Sequence, residues 1–159
     1  MSEDNTPLHQ GGCLCGRIRY EVTGQPRCQA ACHCRFCQRM TGSAFNAISY
    51  FLKKNVQFTT AQPNEFAYVS PVHGRALRPQ FCTQCGVTVG LTLERNEAVH
   101  GILIGTFDEP DWVSVDKHIF VQSALPWDVF ADSMDLFDGH SATPDGQPAP
   151  PSRPRLRPS

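Results

Sequence analysis

Seven of the eight cysteines in this chain fall into three clusters with the spacing of metal ligands: Cys13-x-Cys15, Cys32-x-Cys34-x-x-Cys37 and Cys82-x-x-Cys85. Tetrahedral zinc in a closed structural site takes four thiolate or imidazole ligands, and two short pairs far apart in sequence supply them by clamping two strand ends. Cys13, Cys15, Cys82 and Cys85 suit that arithmetic, and Gly86 after the last of them lets backbone N–H groups turn toward the thiolates. A zinc on four thiolates has no free position, so it stabilises the fold rather than reacting.

The middle cluster differs. Cys32, Cys34 and Cys37 lie within six residues and can reach one ion as three thiolates, which leaves a fourth tetrahedral position for an exchangeable ligand, the catalytic pattern. Cys28 or His33 could instead supply a fourth ligand and close the site. A further alternative treats Cys34-x-x-Cys37 and Cys82-x-x-Cys85 as redox pairs, but neither has the strand-to-helix setting that lowers a thiol pKa in that motif. A zinc on three thiolates is a weaker Lewis acid toward water than one on three imidazoles and is better matched to a soft sulfur ligand. From Val22 to Asn64 there is no Asp or Glu, whereas Arg27, Arg35, Arg39, Lys53 and Lys54 all lie there. No local carboxylate is available as a base. Such a segment attracts an anion, and Arg35 and Arg39 could hold carboxylates in bidentate fashion, so a carboxylated small thiol fits. The bland alternative for these cations is a solvated face.

These residues must be positioned by short strands. Apolar residues alternate at Ile18, Tyr20 and Val22 and through 44–52, 65–70, 87–93, 99–107 and 118–122, with Gly, Pro and Asn between the runs. Helical turns are expected only around Arg35 to Thr41 and Trp127 to Ser133. The pattern predicts an all-β chain whose small irregular elements are stapled by metal, organised as a flexible leader over 1–10, one domain over 11–138 and a disordered Pro/Arg-rich tail over 139–159. The net charge of −1 with 18% charged residues provides no global field for nucleic acid or an anionic membrane. The N-terminal segment has no apolar core of an export signal, and no stretch of about 18 apolar residues occurs. The expected setting is the reducing cytoplasm, where cysteines in this number serve metal or thiol chemistry.

The segments GGCLCGRIRYEVTG (11–24), CHCRFCQRMTGSAF (32–45) and FCTQCG (81–86) resemble the glutathione-dependent formaldehyde-activating enzyme family, which also includes centromere-protein-V-like proteins. GILIGTFDEP (101–110), DKHIFV (116–121) and LPWDVFAD (125–132) look like that family's closing motifs, so the likeness covers roughly residues 11 to 138. It implies a twisted all-β fold of the Mss4-like, or β-tent, type. It implies two zinc ions per chain, a structural one on Cys13, Cys15, Cys82 and Cys85 and a catalytic one on Cys32, Cys34 and Cys37. The activity implied is addition of glutathione to formaldehyde, giving S-(hydroxymethyl)glutathione, formally a carbon–sulfur lyase reaction read in reverse. In that reading Arg35 and Arg39 hold the peptide's carboxylates, with Gln38 and Ser43 as neutral hydrogen-bond donors.

Other conspicuous residues read as structural. His100 and His118 sit in strand-like runs as satisfied core or edge histidines, Trp127 packs the closing turn, and Asp128 and Asp132 cap it. Cys28 reads as a small buried residue or a neighbour of the metal site. Two other classes of function compete with the enzyme. A non-catalytic zinc scaffold for protein or nucleic acid would use the basic segment and tail, against which stands a pI near 6.6. A redox protein would hold disulfides and no metal.

Overall fold

The structure, a computed structural model, describes residues 6–143 and 145–155. Of the described residues 38% are strand and 11% helix, in line with the mainly β expectation. In chain order the strands are β1 (Leu8–Gly12), β2 (Arg19–Thr23), β3 (Cys28–Cys32), β4 (Asn46–Leu52), β5 (Val56–Phe58), β6 (Asn64–Glu65), β7 (Tyr68–Val69), β8 (Ala76–Phe81), β9 (Thr88–Leu93), β10 (Val99–Leu103), β11 (Lys117–Ile119) and β12 (Asp135–Phe137). The α-helix, α1, spans Arg35–Thr41, where a helical turn was expected. Residues 11–138, read above as one domain, divide between two compact units: the chain up to 28 with 49–113, and 29–48 with the chain from 114 onward. Among the described residues no helix is long and apolar enough to cross a membrane.

The first unit holds an antiparallel sheet in the order β1-β2-β5, with Tyr20 opposite both Gly11 and Phe58. Leu8, His9 and Gln10, counted above with the leader, are paired in β1. Period two in β2 sends Tyr20 and Val22 inward. With Ile18 they join Phe51, Val89, Ile102 and Phe107 in one buried cluster, each side chain contributing about 1.5–3 kcal/mol by its removal from water. The Tyr20 hydroxyl bonds Thr106 Oγ1 at 2.8 Å, and its ring meets Phe107 edge-on at 5.6 Å. Cys13 and Cys82 belong to the same cluster, so the apolar core itself carries two of the thiols. Antiparallel pairing also links β6 and β7 to β8, β8 to β9, and β9 to β10.

The second unit holds β3, β11 and β12 as a parallel ladder, with Ile119 beside both Cys32 and Phe137. The run expected to extend from His118 through 122 breaks at Phe120, which has φ +58°, a left-handed conformation rare for a bulky residue. A 3₁₀ turn, Val121–Ser123, follows. The turn expected around Trp127 to Ser133 is not a helix. The Asp128 carboxylate accepts from the Leu125 N–H at 3.1 Å, closing a local turn instead of starting a helix downstream. Trp127, expected to pack there, is 68% exposed. The described part of the Pro/Arg-rich tail is hydrogen-bonded: Arg153 and Leu136 exchange backbone bonds of 2.9 and 3.1 Å, and the Arg155 guanidinium lies 3.3 Å from Asp135.

His100 is a buried histidine of the first unit, with Nε2 2.5 Å from Gln80 Oε1, as a satisfied core histidine should be. Burial, aided by the Lys53 charge, pushes its pKa down to about 4. The native state therefore holds it neutral, and the unfolded chain takes up its proton at about 6.5. This contribution to stability is present above pH 6.5 and is lost as pH falls toward 4. Denaturant melts at pH 7 and pH 5 should show His100→Gln losing less stability than the parent over that interval, by roughly 1–2 kcal/mol.

Candidate metal centres

Two turns of closely similar design form the first centre. After β1, the Cys13 N–H donates to the Ile18 carbonyl and the Gly16 N–H to the Cys13 carbonyl, both at 3.0 Å. After β8, the Cys82 N–H donates to the Val87 carbonyl at 3.0 Å and the Gly86 N–H to the Cys82 carbonyl at 2.8 Å. Gly16 and Gly86 close these turns at φ +76° and +75°, where a side chain would be strained. The closure directs backbone donors at sulfur: the Ile18 N–H donates to Cys13 Sγ at 3.2 Å. Hydrogen bonds from the Val87 and then the Cys15 backbone push the Cys85 thiol down to about 6.

The four sulfurs lie within 4.8 Å of one another, all in the first unit. Cys13 to Cys15 is 3.6 Å and Cys15 to Cys82 is 3.7 Å. Zinc–sulfur bonds of ~2.3 Å set at tetrahedral angles require sulfurs about 3.8 Å apart. The donor set and its spacing therefore fit a tetrahedral, all-sulfur ion such as zinc.

The second centre belongs wholly to the second unit. Cys32 ends β3, Cys34 caps α1 in an extended conformation, and Cys37 stands in the first turn of the helix, with its N–H donating to Cys34 Sγ at 3.4 Å. Contrary to the expectation above, Cys34-x-x-Cys37 therefore does stand at a strand-to-helix junction, with a third cysteine, Cys32, beside the pair. Cys32 closes a strand and Cys34 has extended backbone, so the two thiols two positions apart come to the same side, and the helix brings the residue three positions on back toward its cap. The three sulfurs again lie within 4.8 Å. Cys32 and Cys37 are buried and Cys34 is partly exposed, so the group opens on the Cys34 side. Metal-free, the cluster favours one negative charge: hydrogen bonds from Cys32 and Cys37 pull the Cys34 thiol down to about 3. The same sharing pushes Cys32 up to about 12 and raises Cys37 as well. A cation is what would allow all three to be thiolates together.

Among the described residues no fourth ligand joins this group. His33 is turned away, with Nδ1 3.1 Å from Asp128 Oδ2 and Nε2 2.8 Å from His118 Nδ1. Cys28 belongs to neither group. His118, expected to be an ordinary strand histidine, and Asp128, expected only as a cap, are thus joined through a residue flanked by two of the cysteines. Gln38 is 4% exposed and spends both amide hydrogens inside the protein, on the carbonyls of His33 at 2.8 Å and Ser123 at 2.9 Å. Its Oε1 accepts from the Arg35 guanidinium. Gln38 therefore orients Arg35 and has no hydrogen left for a substrate. Arg35 and Arg39 are exposed on α1, and Ser43 is exposed just after it, its N–H donating to Thr41 Oγ1 at 3.3 Å.

The sequence pattern of the glutathione-dependent formaldehyde-activating enzyme family matches residues 8–123, a span that contains all seven clustered cysteines. A crystal structure of a Rhodobacter sphaeroides protein, 20% identical in sequence, superposes with a TM-score of 0.51 over 67% of this chain and 96% of that one, a likeness of fold. No curated protein matches the chain. With most of its length and every clustered cysteine inside the family pattern, the chain belongs to the glutathione-dependent formaldehyde-activating enzyme family.

Proposed function

We propose that the chain is a zinc-dependent enzyme of the carbon–sulfur lyase type that makes or breaks S-(hydroxymethyl)glutathione or a similar adduct of a small thiol. The observation that carries this reading is the second centre's count: three sulfurs converge, His33 turns away, and the least buried ligand, Cys34, marks the open side. The four-cysteine group has no such vacancy and takes the structural role.

An ion on Cys32, Cys34 and Cys37 would supply an acceptor for soft sulfur, lowering the pKa of an incoming thiol and polarising a carbonyl. In the addition, a sulfur lone pair forms the S–C bond, the carbonyl π pair moves onto oxygen, and the thiol proton ends there. No oxidant or reductant enters. Arg35, held through Gln38, is proposed to bind a substrate carboxylate beside the open side, with Arg39 and Ser43 completing the contacts. Gln38 serves by orienting Arg35 rather than by touching substrate. A thiol substrate of this kind agrees with a cytoplasmic setting.

Metal analysis of the purified protein should return two zinc ions per chain. Cys34→Ser should lose one and keep a cooperative unfolding transition, whereas Cys82→Ser should lower the thermal midpoint by roughly 10 °C or more or prevent folding. Equal collapse of both variants would make the second centre structural and favour the zinc-scaffold alternative. Calorimetric titration of glutathione should give binding heat that vanishes in Cys34→Ser; heat surviving in that variant would detach the thiol from this ion. In the same titration Arg35→Ala should weaken glutathione by about tenfold, the worth of one charge-assisted contact.

A further inference from the structure

We propose that Asp128 and His118, neither of them a metal ligand, are positioning residues for the three-cysteine centre and act through His33. This rests on the reading that Cys32, Cys34 and Cys37 hold an ion. His33 lies between two of those cysteines and is held at every polar group it has. Its N–H donates to the Ile119 carbonyl at 2.9 Å, and its carbonyl accepts from Gln38 Nε2 at 2.8 Å. Nδ1 reaches Asp128 at 3.1 Å and Nε2 reaches His118 at 2.8 Å. The side chains of His33 and Asp128 are 1% and 6% exposed, so water does not compete for this contact. Phe45 and Phe130 lie 5.2 and 5.3 Å from the His33 ring, and Phe130 also meets His118 at 5.0 Å.

A carboxylate accepts, so Nδ1 of His33 carries the proton and Nε2 accepts from the Nδ1–H of His118. Asp128 uses one oxygen for both His33 and the Leu125 N–H, which ties the bend at 125–128 to the metal-bearing segment. His118 lies in β11, opposite Ala31 of β3, so the second anchor comes from the strand paired with the one that ends at Cys32. The sulfurs of Cys32 and Cys34 lie together while the ring of the residue between them is held by Asp128 and His118, so fixing that ring fixes the backbone that aims both thiols. Fixing two of three ligand vectors sets how closely the sulfurs match the geometry of an ion, and partners beyond the ligands typically change metal affinity 10–100-fold.

The test loads the full-length protein with cobalt(II) and follows its absorption bands, then measures zinc loss from the second centre to a chelator. Asp128→Ala and His118→Ala should weaken metal at that centre 10–100-fold and shift its cobalt bands, while the four-cysteine ion is retained. Asp128→Asn, which can place an oxygen where Asp128 Oδ2 sits, should restore most of the affinity. His118→Gln serves as the second variant if either alanine change impairs folding. Parent-like affinity and bands in folded Asp128→Ala, or in folded His118→Gln and His118→Ala, overturn the positioning role. A parent protein that takes up only one cobalt overturns the catalytic-site reading and this inference together, whereas two cobalts with indifferent variants overturn the inference alone.

Discussion

Like-charged sulfurs cannot share so small a space without a cation among them. Two thiolates about 4 Å apart repel by about 4 kcal/mol in a medium of intermediate polarity, and each cluster contains several such pairs. Without a cation the thiols must keep most of their protons, and in the three-cysteine group only Cys34 ionises readily. Much of the local backbone is arranged around this requirement. Turns closed by Gly16 and Gly86 aim N–H groups at sulfur, two of the thiols are set in an apolar core, and the cap of α1 is itself a cysteine.

The two centres answer that requirement in different ways. The four-cysteine group joins two distant turns of the first unit, so an ion there would act as a cross-link between segments nearly 70 residues apart. The three-cysteine group is local, spanning six residues, and has little chain to cross-link. Its precision must come from surrounding contacts instead, and those converge on His33 and Gln38. Metal at the first centre would hold the fold, while at the second the fold itself holds the three cysteines.

The grouping of the cysteines into two sets that could hold a metal is legible in the sequence because residue type and spacing express it within windows of two to six residues. The same holds for α1, and for the strands whose apolar alternation is uninterrupted, such as β2 and β9. What surrounds the second centre was not legible. His118 and Asp128 lie 85 and 95 residues from His33, and each alone resembles an ordinary strand or capping residue. Gln38 invites a substrate role by its place after Cys37, yet its amide is consumed by two carbonyls that only the fold brings near. Strand β8 was missed because Arg78 and Pro79 interrupt its pattern, although Pro79 sits opposite Leu91 in β9. Trp127 after Pro126 reads as packing the closing turn, but Asp128 takes the inward position and Trp127 is exposed.

The backbone exchange between Arg153 and Leu136 has an effect beyond its two bonds. It lies along β12, whose neighbour in the ladder is β11. An uncovered strand margin is a template on which another chain can add itself, and proline together with positive charge is a common deterrent to such addition. Pro151, Pro154, Arg153 and Arg155 place both along that margin, so a stretch whose composition suggests no structure serves as a selvedge that keeps neighbouring molecules from stitching on.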